Sequence, residues 1–279
     1  MKNILIPTDF SENSWNAIGY AIQLFKKSAC NFYLLHVSAG DALKADDSFY
    51  VHYENTVVST LNKPSQVLLK EMVAGISKRF NKGPNHRFFT FSDSNNLIGS
   101  IREQVVKNNI DLIVMGTKGT SGVKGLAIGG NTGNVITKVK CTTLVVPENA
   151  KYVPPKEVAL PTDFSIVYSP DTLQSLTDIL RGHQGKVNVL NVSKDTPILN
   201  EEQKQNKEFL RDYFMGQKHN FYFLAHKQID CAVQQFVDFK DISLISVLAK
   251  NLNYLQRILF QPSIDKVNYY KNVPFLVLH

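Results

Sequence analysis

No run in this sequence approaches the roughly 18 apolar residues that a membrane-spanning helix needs, and the opening Met1 to Pro7 reaches a turn too early to hold the apolar region of a secretory signal. No membrane association and a cytoplasmic location are therefore expected. Cysteine is scarce: Cys30, Cys141 and Cys231 stand far apart with no C-x-x-C spacing, each in or beside an apolar or helical stretch, and they read as core thiols. None of the seven histidines falls in an H-x-x-x-H or H-E-x-x-H pattern, so no metal site is expected. There is no G-x-x-x-x-G-K-[ST] loop, no G-x-S-x-G elbow and no G-x-G-x-x-G after the first apolar strand, which argues against P-loop, hydrolase and dinucleotide-binding enzymes. No catalytic base can be nominated. His36 lies in an apolar strand and reads more readily as a satisfied core residue than as a ligand.

Charge concentrated in one place is also lacking. The net charge of +7 is spread over both halves of the 279 residues without a basic stripe, arm or tail, so a mildly basic surface is expected and a nucleic-acid partner is not. What is present is ordinary globular material, 43% apolar and 20% charged, organised as alternating strand and helix signals. Apolar strands are predicted at Ile4 to Pro7, Asn31 to Val37, Arg87 to Phe91, Asp111 to Gly116 and Thr142 to Pro147, with helices at about Ser11 to Lys27, Asn55 to Phe80, Ser94 to Lys107 and Asn131 to Lys138. Five strands joined by helical crossovers indicate a parallel α/β sheet.

The pattern then restarts. Residues 147 to 156, PENAKYVPPK, hold three prolines and no apolar period, as a linker does. Beyond them KEVALPTDFS at 156–165 matches KNILIPTDFS at 2–11, VNVLNVS at 187–193 lies over FYLLHVS at 32–38, and Ser243 to His279 lies over Asp111 to Pro147 without a gap. A repeat of domain length is a duplication. The expected domains are residues 1–148 and 156–279, with 149–155 between them.

The chemistry-bearing feature is glycine spacing. Met115 and Gly116 close the fourth strand, Gly119 follows, and Gly129, Gly130, Asn131 and Thr132 open the next helix, a G-x2-G-x9-G pattern. Glycines let backbone approach a ligand closely, and a helix start supplies amide donors and the positive end of its dipole. Phosphate is the natural guest, although a purely structural turn-rich loop has the same composition. Lys118 and Lys124 lie within the loop and read as solvated charges before phosphate contacts. At the end of the first strand stand Pro7, Thr8 and Asp9; ligands of open parallel sheets bind at that edge, where Asp9 could bond a ribose, but Asp9 and Ser11 equally suit a helix cap. Val37 ends the second strand on the same edge, where its backbone could pair with a purine.

Together these residues resemble the universal stress protein family, over both halves in strand order and over the first half in the nucleotide motif. The resemblance implies two tandem open five-stranded parallel-sheet sandwiches, adenine nucleotide alpha hydrolase-like and pseudo-dimeric within one chain. It also implies an ATP site in which Pro7, Thr8, Asp9 and Val37 face adenine and ribose, while Met115, Gly116, Gly119, Gly129, Gly130, Asn131 and Thr132 surround the phosphates. The family motif continues with Ser or Thr where this chain has Gly130, so one hydroxyl donor is lost.

In the second half the gapless alignment puts Leu248, Asn251, Gln261 and Pro262 on Gly116, Gly119, Gly129 and Gly130. The cradle is gone, and Leu252, Leu255, Ile258, Leu259 and Phe260 suggest a packed helix in its place. Pro262 suits the first position of a following helix. Asp163 and Thr162 persist without a cradle, which favours the capping role for the shared Asp-Phe-Ser turn. The expected function is a nucleotide-binding stress-response or regulatory protein holding ATP or a related adenine nucleotide in the first half only. A scaffold with two vestigial sites and a slow ATPase are the alternatives. The last strand, Val273 to Leu278, is expected to pair with Thr142 to Val146, because family members commonly dimerise through that strand. Whether two such chains pair again is open.

Overall fold

The computed structural model describes residues 1–38, 64–117, 128–193, 198–260 and 272–279, and the chain divides into two compact units, Met1–Met115 and Gly116–His279. The first unit runs β1 (Lys2–Pro7), α1 (Glu12–Leu24), β2 (Cys30–Val37), α2 (Ser65–Arg79), β3 (His86–Asp93), α3 (Leu97–Lys107) and β4 (Leu112–Gly116), whose last residue opens the second unit. All pairings are parallel, in the order β3-β2-β1-β4. Strand β1 is central, and Ile4, Leu5 and Ile6 are buried on both its faces, as a parallel strand covered by helices on two sides requires. Strand β3 alternates exposed and half-buried residues along most of its length. Its Phe88 and Phe89 stack on their register partners Phe32 and Tyr33, with ring centroids 5.1 Å apart in each pair. Burial pushes the Cys30 thiol up to about 11, so it stays protonated and unreactive, as a core thiol does. Of the long helix expected from Asn55, residues 65–79 are helical; 55–63 lie outside the described residues.

The second unit contains α4 (Gly130–Lys138), β5 (Thr143–Val146), β6 (Glu157–Pro161), α5 (Pro170–His183), β7 (Lys186–Ser193), α6 (Glu201–Tyr213), β8 (His219–Ala225), α7 (Ile229–Phe239), β9 (Leu244–Leu248), α8 (Leu252–Leu255) leading into a π-helical turn at Gln256–Phe260, and β10 (Phe275–Leu278). Its sheet runs β8-β7-β6-β9-β10, parallel throughout, with β5 antiparallel on the far side of β10. The order β8-β7-β6-β9 repeats β3-β2-β1-β4, and the register repeats with it. Ile4 and Leu5 face Leu112 and Ile113, and their counterparts Val158 and Ala159 face Leu244 and Ile245. Residues 147–156 form neither helix nor strand.

The compact units part at the end of β4, whereas the sequence repeat parts near residue 150. The difference has a physical cause: α4 and β5 belong to the first repeat by sequence but pack with the second. Strand β5 pairs with β10 so that Leu144 faces Leu276, Thr143 faces Val277 and Val145 faces Phe275. Leu276 is the repeat counterpart of Leu144, and the flanking pairs exchange counterparts, which is the isologous pattern of a two-fold interface.

Candidate functional site

In the first unit the edge beyond β1 is built by short-range hydrogen bonds. Thr8 N–H donates to Leu35 O at 2.8 Å. Alternate residues of a strand face the same neighbour, so the N–H and C=O of Val37, two residues on, face the β1 side beyond its last residue. The buried Thr8 hydroxyl donates to Ser14 Oγ at 2.9 Å and accepts from Phe10 N–H at 3.0 Å, which spends it on the turn. Asp9 Oδ1 accepts from the N–H of Ser11 at 3.1 Å and from its hydroxyl, while Ser11 caps α1 by accepting from Ser14 N–H at 3.3 Å. His36 is half-buried, and its Nδ1 lies 2.8 Å from Thr8 O. A carbonyl only accepts, so Nδ1 carries the proton. The imidazole straps the end of β1 to the end of β2 and packs on the Phe10 ring, 4.5 Å away by centroid.

The glycine-led helix start lies in the second unit. Met115 is buried at the end of β4; Gly116 O accepts from the Thr132 hydroxyl at 2.8 Å, and Thr117 O accepts from Gly129 N–H at 2.6 Å. The Gly129 amide is therefore used internally, and so is the Thr132 hydroxyl proton. Gly129 is the N-cap of α4 and has no side chain to cap with. The first intrahelical bond runs from Gly133 N–H to Gly129 O at 2.9 Å, so the amides of Gly130, Asn131 and Thr132 precede the helical ladder. Among the described residues a Cβ on Gly130 would meet nothing within 4 Å. Three successive helix-start amides with open space at the first suit an anionic group such as phosphate. Gly119, Lys118 and Lys124 lie outside the described residues. Among the described residues no group of three or more His, Cys, Asp or Glu side chains could hold a metal ion, and no helix is long and apolar enough to cross a membrane.

The second repeat builds the same edge and then closes it. Asp163 Oδ1 accepts from Ser165 N–H at 3.0 Å and Ser165 Oγ–H at 2.7 Å, as Asp9 does from Ser11. Phe10 and Phe164 share the left-handed backbone, with φ of 64° and 60°. Asn191 Nδ2–H donates to Thr162 O at 3.0 Å, the bond that His36 makes to Thr8 O. The turn geometry thus persists where the cradle does not. Asn251, the counterpart of Gly119, donates from Nδ2 to Asp163 Oδ1 at 2.9 Å and accepts Tyr254 N–H at 3.3 Å. Tyr254, the counterpart of Gly122, is 1% exposed. Its hydroxyl accepts from Val192 N–H at 3.1 Å and donates to Val192 O at 3.2 Å. Val192 is the counterpart of Val37. The paired donor and acceptor at the end of β7 are thus satisfied by the chain's own phenol, whose pKa is pushed well up by burial. Gln261 and Pro262 lie outside the described residues. Sequence reasoning passed over Tyr254 and Asn191; their signal was a polar-tipped side chain standing on Gly122 and on His36 in the repeat alignment.

Two open parallel sheets of one strand order, with a glycine-led helix after β4, define a doubly wound α/β protein. The profile of the universal stress protein family matches residues 1–147, and the chain belongs to that family. It is similar to two curated relatives from Methanocaldococcus jannaschii. Universal stress protein MJ0531 is 28% identical over 54% of this chain and 84% of its own length; universal stress protein MJ0577 is 30% identical over 52% and 94%. Among solved structures, a universal stress protein from Archaeoglobus fulgidus shares the fold over 99% of this chain and 95% of that one, with a TM-score of 0.68 at 17% identity.

Proposed function

We propose that this chain is a cytoplasmic nucleotide-binding regulatory or stress-response protein. It holds one adenine nucleotide, ATP or a close relative, through residues of 1–147, and its second repeat serves as a built-in partner. The observation that carries this reading is the start of α4, which offers three amides and no capping side chain; in the second repeat it is the ends of β6 and β7, the counterparts of β1 and β2, that Asn251 and Tyr254 occupy. Thr132 and Gly129 then act as braces that shape the cradle, and Gly130 and Asn131 present the amides. Asp9 and Thr8 hold the turn, with Val37 offering its backbone pair to a purine. The isologous pairing of β5 with β10 supports the reading of the second repeat as a fused partner.

Calorimetric titration with ATP should give one site per chain, and Gly119→Val should weaken it by at least about tenfold, the loss of one charge-assisted contact. No heat at millimolar ATP, or binding indifferent to that substitution, would count against the reading. The missing hydroxyl at Gly130 favours the second reading, a scaffold whose two sites are both vestigial. Mass spectrometry of whatever small molecule the denatured protein releases separates the two, since an adenine nucleotide released in stoichiometric amount excludes the scaffold.

A further inference from the structure

Helix α4 presents its first amides at one end and has its side covered by the second repeat. A Cβ on Gly133, one turn into the helix, would stand 3.1 Å from Cε1 of Phe260 and 3.9 Å from Cγ2 of Ile128. The Phe260 ring therefore lies directly against the helix backbone. Ile128, just before the N-cap, and Ile136, on α4, are buried in one cluster with Tyr254, Ile258 and Leu259, and Phe260 packs against that cluster. In the repeat alignment Phe260 is the counterpart of Ile128. The segment that stands in place of the second glycine loop is thus the one that backs the helix of the first.

We propose that Phe260 is a positioning residue for the phosphate cradle of the first repeat, so that the second repeat sets how tightly the first holds its nucleotide. The nucleotide part rests on the function proposed above. A helix of nine residues has little stability of its own and takes its order from tertiary packing. Three amides bind an anion well only while they point together, and the ring on Gly133 fixes the turn from which they project. Ile128 enters Gly129 directly, so its burial beside Phe260 fixes the chain on the other side of the amides. A leucine in place of the ring should still hold the helix; an alanine should not.

The test uses the full chain. Phe260→Ala is expected to weaken ATP about tenfold, the value of one hydrogen bond to a charged group, and to leave adenosine, which has no phosphate, unchanged. Phe260→Leu should retain most of the ATP affinity. Phe214→Leu, a fully buried change in the second unit outside the α4 cluster, should lower thermal stability without moving ATP affinity. Amide exchange of residues 128–138, followed without ligand, should accelerate in Phe260→Ala and not in Phe214→Leu. Unchanged exchange in Phe260→Ala, or equal acceleration in the control, overturns the proposal. A wild-type chain that binds no ATP overturns the nucleotide reading, and exchange then decides alone whether Phe260 holds the helix.

Discussion

Gly130→Ser is expected to tighten ATP binding by about tenfold or more, a gain of function from a single added hydroxyl. Gly130 is the first residue of α4, and a Cβ there meets nothing within 4 Å among the described residues, so serine enters without strain against them. A hydroxyl donating to a phosphate oxygen contributes about 1.5 kcal/mol or more when its partner is charged, and serine also suits a helix better than glycine. The exposed position places the gain near the lower end of that range. Parallel titrations with ATP and adenosine separate binding from stability: the improvement should appear with ATP and be absent with adenosine. Equal improvement with both ligands would show that the serine acts by ordering the fold, and no improvement would place the phosphates elsewhere than at the start of α4.

The second large effect is expected at Tyr254. Tyr254→Ala should destabilise the chain by about 3–5 kcal/mol, the usual result of truncating a fully buried aromatic. Much of that loss should survive in Tyr254→Phe, which keeps the ring but orphans the Val192 N–H and C=O, at about 1–3 kcal/mol. The contribution should be independent of pH across the accessible range, because burial keeps the phenol neutral and able to donate and accept at once. Urea unfolding midpoints of the three proteins measure both numbers. If Tyr254→Phe proves neutral, the two bonds to Val192 contribute nothing and the ring merely fills space.

Much of this was legible from residues alone. The repeated Pro-Thr-Asp-Phe-Ser announced two equal turns, and both adopt the same hydrogen bonds and the same left-handed phenylalanine. An Asp-x-Ser turn is specified within three residues, so local sequence suffices. The glycine loop was legible as spacing, but not which of its groups remain available. That the Gly129 amide and the Thr132 hydroxyl are spent on Thr117 and Gly116 depends on partners that β4 brings close, and a glycine pattern carries no record of them. His36 read as a satisfied core residue, and its ring is satisfied, by Thr8 O, in a half-buried position; its register against Thr8 is set by the β1–β2 pairing. Tyr254 was hidden for the converse reason. An apolar run predicts a packed helix, and only the position of β7 shows that one side chain in that run reaches the open end of the strand. The parting of the compact units at Met115 likewise follows from long-range packing of α4 and β5, which no linker composition can report.

The β5–β10 ladder has a further consequence. Between separate chains, a contact with that symmetry forms and breaks with protein concentration, and every substitution in one half is made in the other. Within one chain the same contact is unimolecular, so dilution leaves it intact. Its two sides can also change independently. An alteration that would ruin both loops of a symmetric pair harms only one here, which is the condition under which one loop could give up its glycines, take on a tyrosine and a phenylalanine, and become a support for the other.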